Sequence, residues 1–197
     1  MFPTAQPGNI PADAAPEGAL PLTGNLKNPG VRKTLALLGA FCLFLSTIEY
    51  MIPKPLPFMR IGIANLPLML ALDIFPFPVF LALIAIKVLG QALITGTLFS
   101  YIFLFSLAGT FFSALSMYGL RRLLGRNRIS FIGAGTAGAM ISNVTQLALA
   151  WIFVFRNNVQ YIAPPFLAAG VITGVVLGLF CEYFTGHSQW YARRRVW

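Results

Sequence analysis

The sequence predicts an all-α membrane protein, a bundle of six transmembrane helices with both termini in the cytoplasm. Three observations lead there. Hydrophobic residues make up 57% of the chain and charged ones only 10%, whereas soluble domains carry roughly a quarter charged residues. The apolar residues arrive as long runs, which suits helices rather than the weak alternation of barrel strands. The bases gather in short tracts beside those runs, as they do at the cytoplasmic ends of membrane spans.

The net charge of +9 therefore reflects topology and not a nucleic-acid surface, because most bases flank apolar segments. Cys42 and Cys181 both fall inside apolar runs, where cysteine behaves as a small hydrophobe, and neither a disulfide nor a metal site is indicated. No cofactor is called for.

Residues 1–32 are rich in Pro, Gly, Ala and Asn without an apolar run, and read as a disordered cytoplasmic tail rather than a signal peptide. The membrane domain occupies 33–186, and a basic cytoplasmic tail follows over 187–197. The first span is expected at 34–52, directly after Arg32-Lys33. A turn carrying Pro53, Pro55 and Pro57 leads to a short second span at 61–75, kinked or partly irregular at Pro67. Pro76 and Pro78 turn the chain into a third span at 78–98. The fourth is expected at 101–122, ending at Arg121-Arg122. The fifth, 130–155, stops at Arg156-Asn157-Asn158, and the sixth covers 162–184.

With the N-terminus inside, the inner tracts hold ten bases: Lys27, Arg32, Lys33, Arg121, Arg122, Arg126, Arg128, Arg193, Arg194 and Arg195. The outer tracts hold three, Lys54, Arg60 and Arg156, and Lys87 lies within the third span. Ten against three predicts an N-inside orientation.

One stretch breaks the apolar pattern. Glu49 to Pro67 packs Glu49, Lys54, Arg60, Asn65 and four prolines into a single turn and its flanks. Helical rise places Glu49 roughly 22 Å up the first span, Gln91 about 20 Å up the third, and Asn143 and Gln146 about 20 and 24 Å up the fifth. Asn65 lies about one turn below the outer end of the second span. These polar groups thus share a depth beneath Lys54, Arg60 and Arg156, which suggests an outward-facing ligand pocket. The alternative is that the amides join helices through ordinary hydrogen bonds. Lys87, one turn from Gln91, either neutralises Glu49 or Asp73 or meets an anionic part of a ligand.

Gly133 to Gly138 spells a dinucleotide-type glycine pattern, yet it opens a membrane span with no preceding strand, so close helix approach explains it. Gly170, Gly174 and Gly178 form a similar packing ridge. The Asn143-Val144-Thr145 sequon lies within the bilayer, and His187 is alone. No aspartate-rich magnesium motif, phosphate loop or nucleophile elbow occurs, so no catalytic residue is assigned and the chain is not expected to be an enzyme. Ala36 and Ala40 make a small-residue patch, suited to ordinary packing or to docking a second membrane subunit.

Glu49, Ile52-Pro53, Pro55, Pro57, Arg60 and Gly62-Ile63-Ala64-Asn65 resemble the signature of bacterial Gx transporter proteins, also described as heptaprenyl diphosphate synthase component I. Phe99-Ser100, Gly109, Ser113, Met117 and Arg121-Arg122 fit the same family, as do Gly138-Ala139, Asn143 and Gln146. The resemblance covers about 34–185. Two departures stand out: Arg60 occupies a position that is often Lys, and Ser142 one that is often His. The first keeps the charge with different hydrogen-bond geometry; the second removes a titrating group.

That family is in turn similar to the substrate-binding S components of energy-coupling-factor transporters. The resemblance implies six helices, an N-inside orientation and a ligand held under the loop between the first two helices. It also implies docking through the Ala36/Ala40 patch onto a transmembrane coupling subunit that binds cytoplasmic ATPases. On this reading Lys54, Arg60 and Arg156 meet negative charge on a small anionic or amphipathic nutrient. Asn65, Gln91, Asn143 and Gln146 hydrogen-bond it, and Glu49 orients Arg60 or Lys54. Two other functions stand beside this one: an accessory subunit of a flavin- or quinone-linked redox system, and a non-catalytic component of a polyprenyl diphosphate synthase.

Overall fold

In a computed structural model of the chain, residues 28–53, 62–125, 128–155 and 159–192 are described, and the architecture below refers to them. It is all-helical. The elements are α1 (Pro29–Met51), a 3-10 turn (Ile63–Asn65), α2 (Leu66–Ala71), α3 (Phe77–Ile94) and α4 (Tyr101–Leu124). Next come α5 (Phe131–Ala150), continued by a π-helical turn at Trp151–Phe155, then α6 (Val159–His187) and α7 (Gln189–Ala192).

Local chemistry sets the boundaries. Asn28 caps α1 by accepting from Gly30 N at 3.0 Å, with Pro29 in the first turn, where its missing N–H costs nothing. Ser100 and Ser130 cap α4 and α5 through their hydroxyls. α4 closes with Arg121 and Arg122 in its last turn, beside the negative end of the helix, and stops at Gly125, whose φ is 78°.

Five segments are long and apolar enough to cross a membrane: Pro29–Met51, Phe77–Ile94, Tyr101–Leu124, Phe131–Phe153 and Tyr161–His187. Large apolar side chains such as Phe44, Phe112, Ile152 and Ile172 are more than half exposed on them, as a lipid-facing surface requires. The chain is thus a multi-pass membrane protein.

The second expected span takes a different form. Over 61–75 the described backbone is a 3-10 turn, a six-residue helix and two further turns. Six residues rise only about 9 Å, too little for the hydrocarbon core. Every residue from Leu66 to Phe75 is buried, and irregular backbone at membrane depth is tolerated only inside protein. Pro67 sits in the first turn of α2, so it opens that helix rather than kinking it.

Helix contacts give the topology. Gly39 of α1 faces Ile86 of α3 and Gly90 faces Leu43, so the two helices run parallel. The connection between them must therefore return the chain to the starting end of the bundle, and the 3-10 turn and α2 carry the described part of that return. α4 runs against α5, with Gly109 beside Gln146 and Gly138 beside Met117. α5 runs against α6, where a Cβ on Gly174 would lie 2.7 Å from Thr136 Cα. Gly135 of α5 and Gly170, Gly174 and Gly178 of α6 line this packing seam, while Gly138 lets α5 approach α4.

At the base, Arg121 donates to both carboxylate oxygens of Asp73 at 2.8 and 2.7 Å. It also donates to Ile129 O at 2.8 Å and stacks its guanidinium 3.9 Å from the Phe131 ring centroid. Tyr191 of α7 is fully buried and donates to Asp73 at 3.3 Å. Asp73 therefore meets Arg121 and Tyr191 at the base.

Candidate functional site

The polar stretch after α1 folds back onto its own helix. Glu49, in the last turn of α1 and 2% exposed, accepts from Gly62 N at 3.1 Å and Ala64 N at 3.2 Å. Those amides open the 3-10 turn, where N–H groups have no partner within the helix, and a carboxylate is the strongest acceptor for them. Gly62 has φ 91°, a left-handed conformation that a side chain would strain. Glu49 was expected to orient Arg60 or Lys54; Lys54, Arg60 and Arg156 lie outside the described residues, and the contacts above bind it to backbone.

Asn65, the last residue of the turn, accepts through Oδ1 from Nζ of Lys87 on α3. Lys87 is 2% exposed. A buried ammonium is costly in a membrane interior, and this amide carbonyl satisfies one of its three donors.

Around these groups lies a small cavity of ≈ 30 Å³. Its polar lining is Glu49, Asn65 and Lys87 with Thr110 and Ser113 of α4, Ser142 and Asn143 of α5, and Thr173 of α6; Met69, Met117 and Leu177 are among its apolar neighbours. The volume suits one or two waters. Ser113 Oγ is buried there without a hydrogen-bond partner, so a polar guest has an open donor and acceptor to meet.

The predicted residues thus divide. Glu49, Asn65, Lys87 and Asn143 share the cavity wall. Asn143 also joins helices, donating to Phe166 O at 2.8 Å, and the missing side chain of Gly170 leaves room for that approach. Gln146 is fully buried behind the wall, with Nε2 donating to Ser142 Oγ at 3.0 Å and Oε1 unpartnered. Gln91 is buried one turn beyond Lys87 and is not part of the wall. Thr110 and Thr173 were not anticipated. A threonine every turn or so is ordinary in a membrane helix, and neither carries a charge that would have drawn notice. Ala36 and Ala40 are both exposed on the outside of α1.

Searches of curated proteins and of solved structures found no match. The model of one family, heptaprenyl diphosphate synthase component I, matches residues 38–184, which include the whole cavity and most of the helical bundle. With well over half of its length matched, the chain belongs to the heptaprenyl diphosphate synthase component I family.

Proposed function

We propose that this protein is the substrate-binding subunit of a multi-component importer, similar to an energy-coupling-factor S component. It has both termini in the cytoplasm, and the segment through α2 serves as the sixth crossing. It captures a small anionic or amphipathic nutrient at the outer face of a bacterial inner membrane. The observation that carries this reading is the cavity bearing Glu49 and Lys87 under a turn that belongs to the loop after α1. Lys87 and Arg60 supply positive charge; Asn65, Ser113 and Asn143 supply hydrogen bonds. A volume of ≈ 30 Å³ holds no nutrient. Capture therefore requires the 3-10 turn to lift, breaking the two bonds to Glu49 and the one from Lys87. The exposed Ala36 and Ala40 form the docking patch for a transmembrane coupling subunit with its ATPases.

The test is mass spectrometry of small molecules retained by the purified protein, followed by binding titrations of Arg60→Ala, Asn65→Ala and Lys87→Met. Loss of at least tenfold in affinity is expected for each. Unchanged affinity in all three would remove the cavity from the proposal.

Family membership favours a second reading, a non-catalytic membrane component of a polyprenyl diphosphate synthase. Co-purification separates the readings. Coupling and ATPase subunits support the importer, a soluble prenyl synthase supports the second reading, and flavoproteins point to a redox accessory role.

A further inference from the structure

A second concavity lies along α1 between Leu37 and Phe44, whereas the polar cavity meets that helix near its C-terminal end, at Glu49. It is a groove of ≈ 440 Å³ walled by Leu37, Ala40, Phe41 and Phe44 of α1, Leu70 of α2, Phe184 of α6 and Trp190 of α7. Every one of these side chains is apolar or aromatic, and the volume falls in the range of small-molecule sites.

The groove has a charged end. Lys33, Leu37, Ala40, Phe41 and Phe44 follow the spacing i, i+4, i+7, i+8 and i+11, so they share one face of α1. Lys33 therefore stands one turn below Leu37 on the groove's own face, exposed, with Arg32 exposed beside it. Both lie within the first five residues of the helix, where a span meets the headgroup layer. Trp190 lines the groove itself, and an indole with one apolar and one polar edge favours the membrane boundary. α7 is held there by Tyr191, whose buried hydroxyl meets Asp73, so the wall of the groove is fixed rather than incidental.

An apolar groove along a membrane span, with an exposed lysine one turn beyond it on the same helix face and an arginine next to that, is complementary to one kind of molecule. It fits an acyl chain attached to a phosphate headgroup. We propose that this groove, while Ala40 is not covered by a docked subunit, is a specific site for one anionic glycerophospholipid, its acyl chain along Leu37–Phe44 and its phosphate group at Lys33 and Arg32.

Trp190 allows a direct test. The full chain carrying Trp151→Phe and Trp197→Phe leaves Trp190 as the one fluorophore of its type. It would be reconstituted into vesicles containing brominated phosphatidylglycerol or brominated phosphatidylcholine, and quenching compared. Phosphatidylglycerol should quench Trp190 at several-fold lower mole fraction than phosphatidylcholine. Lys33→Ala with Arg32→Ala should bring the two curves together, and Ala40→Phe, which fills the groove, should weaken quenching by both. The matching protein that retains Trp151 in place of Trp190, at the far end of the bundle, should show no lipid preference. Equal quenching of Trp190 by both lipids in the otherwise unaltered protein would overturn the site. So would a preference that survives removal of both bases. Each vesicle sample would be checked by thermal unfolding, so that a misfolded variant is not scored.

Discussion

Arg121 and Asp73, 48 residues apart in sequence, form a two-pronged ion pair at 2.8 and 2.7 Å with both side chains almost fully buried. The pair ties the end of α4 to the turn that follows α2, and Tyr191 adds α7 to the same carboxylate. Removing one partner leaves the other charge buried and unmatched, which costs about 3–5 kcal/mol. Asp73→Ala and Arg121→Ala should therefore each lower stability by that order in a chemical unfolding series in detergent. The double variant Asp73→Leu with Arg121→Met should lose less than either single one, because no charge is stranded. Arg121→Lys should fall between, since an ammonium cannot make the paired contact. Singles that unfold at the parental midpoint would show that the pair does not hold the base together.

The seam between α5 and α6 makes a second prediction. A Cβ on Gly174 would lie 2.7 Å from Thr136 Cα and 3.0 Å from Gly135 O, both backbone atoms that cannot swing aside. Gly174→Ala should destabilise by about 1–3 kcal/mol through forced separation of the helices. Gly119 and Gly186 have nothing within 4 Å of the same position. Gly119→Ala in α4 should stabilise by up to about 1 kcal/mol through helix propensity alone. Melting curves of the two alanine variants should thus move in opposite directions, and a shared direction would mean that close packing is not what selects glycine in the seam.

Glu49 supplies the third prediction. Its two carboxylate oxygens accept separately from Gly62 and Ala64. Glu49→Ala strands two amides, at about 1–3 kcal/mol for a buried group left unsatisfied. Glu49→Gln keeps one acceptor and should cost less. Amide hydrogen exchange reads this locally: Gly62 and Ala64 should exchange fastest in Glu49→Ala and at an intermediate rate in Glu49→Gln. Unaltered protection at both sites would sever the carboxylate from the turn.

Much of this architecture is legible in the residues themselves. Apolar run length and flanking bases locate the five long helices, and Pro, Gly and Ser mark their ends within a few residues. The glycine ridges on α5 and α6 announce a close seam. The second segment misled because its composition is as apolar as a span while its fold is set by tertiary contact. Leu66 to Phe75 are buried, and the turn before them is held by Glu49, which takes the Gly62 and Ala64 amides, and by Lys87, which meets the Asn65 side chain, both distant in sequence. Depth along straight helices also grouped Gln91 with the cavity residues. Rise per residue gives height but not the direction of a side chain, and Gln91 and Gln146 lie at the right height outside the wall. Tyr191 in a basic tail gave no sign that it would be buried; its signal is its partner, Asp73.

Two buried serines give the last prediction, because they differ only in what they face. Ser46 Oγ and Ser113 Oγ are both buried without a hydrogen-bond partner, yet Ser113 lines the polar cavity and Ser46 does not. An unsatisfied buried hydroxyl is a net cost, so Ser46→Ala should be neutral or should stabilise by about 1 kcal/mol, with no effect on any retained ligand. Ser113→Ala should leave the stability of the empty protein within about 1 kcal/mol of the parent. It should reduce retention of the captured molecule several-fold, since the hydroxyl is then the only thing lost from the site. Measuring unfolding and ligand retention on the same two preparations separates these effects. If Ser113→Ala and Ser46→Ala behave alike in both assays, the cavity is a packing defect, and the hydroxyl at position 113 has no guest to hold.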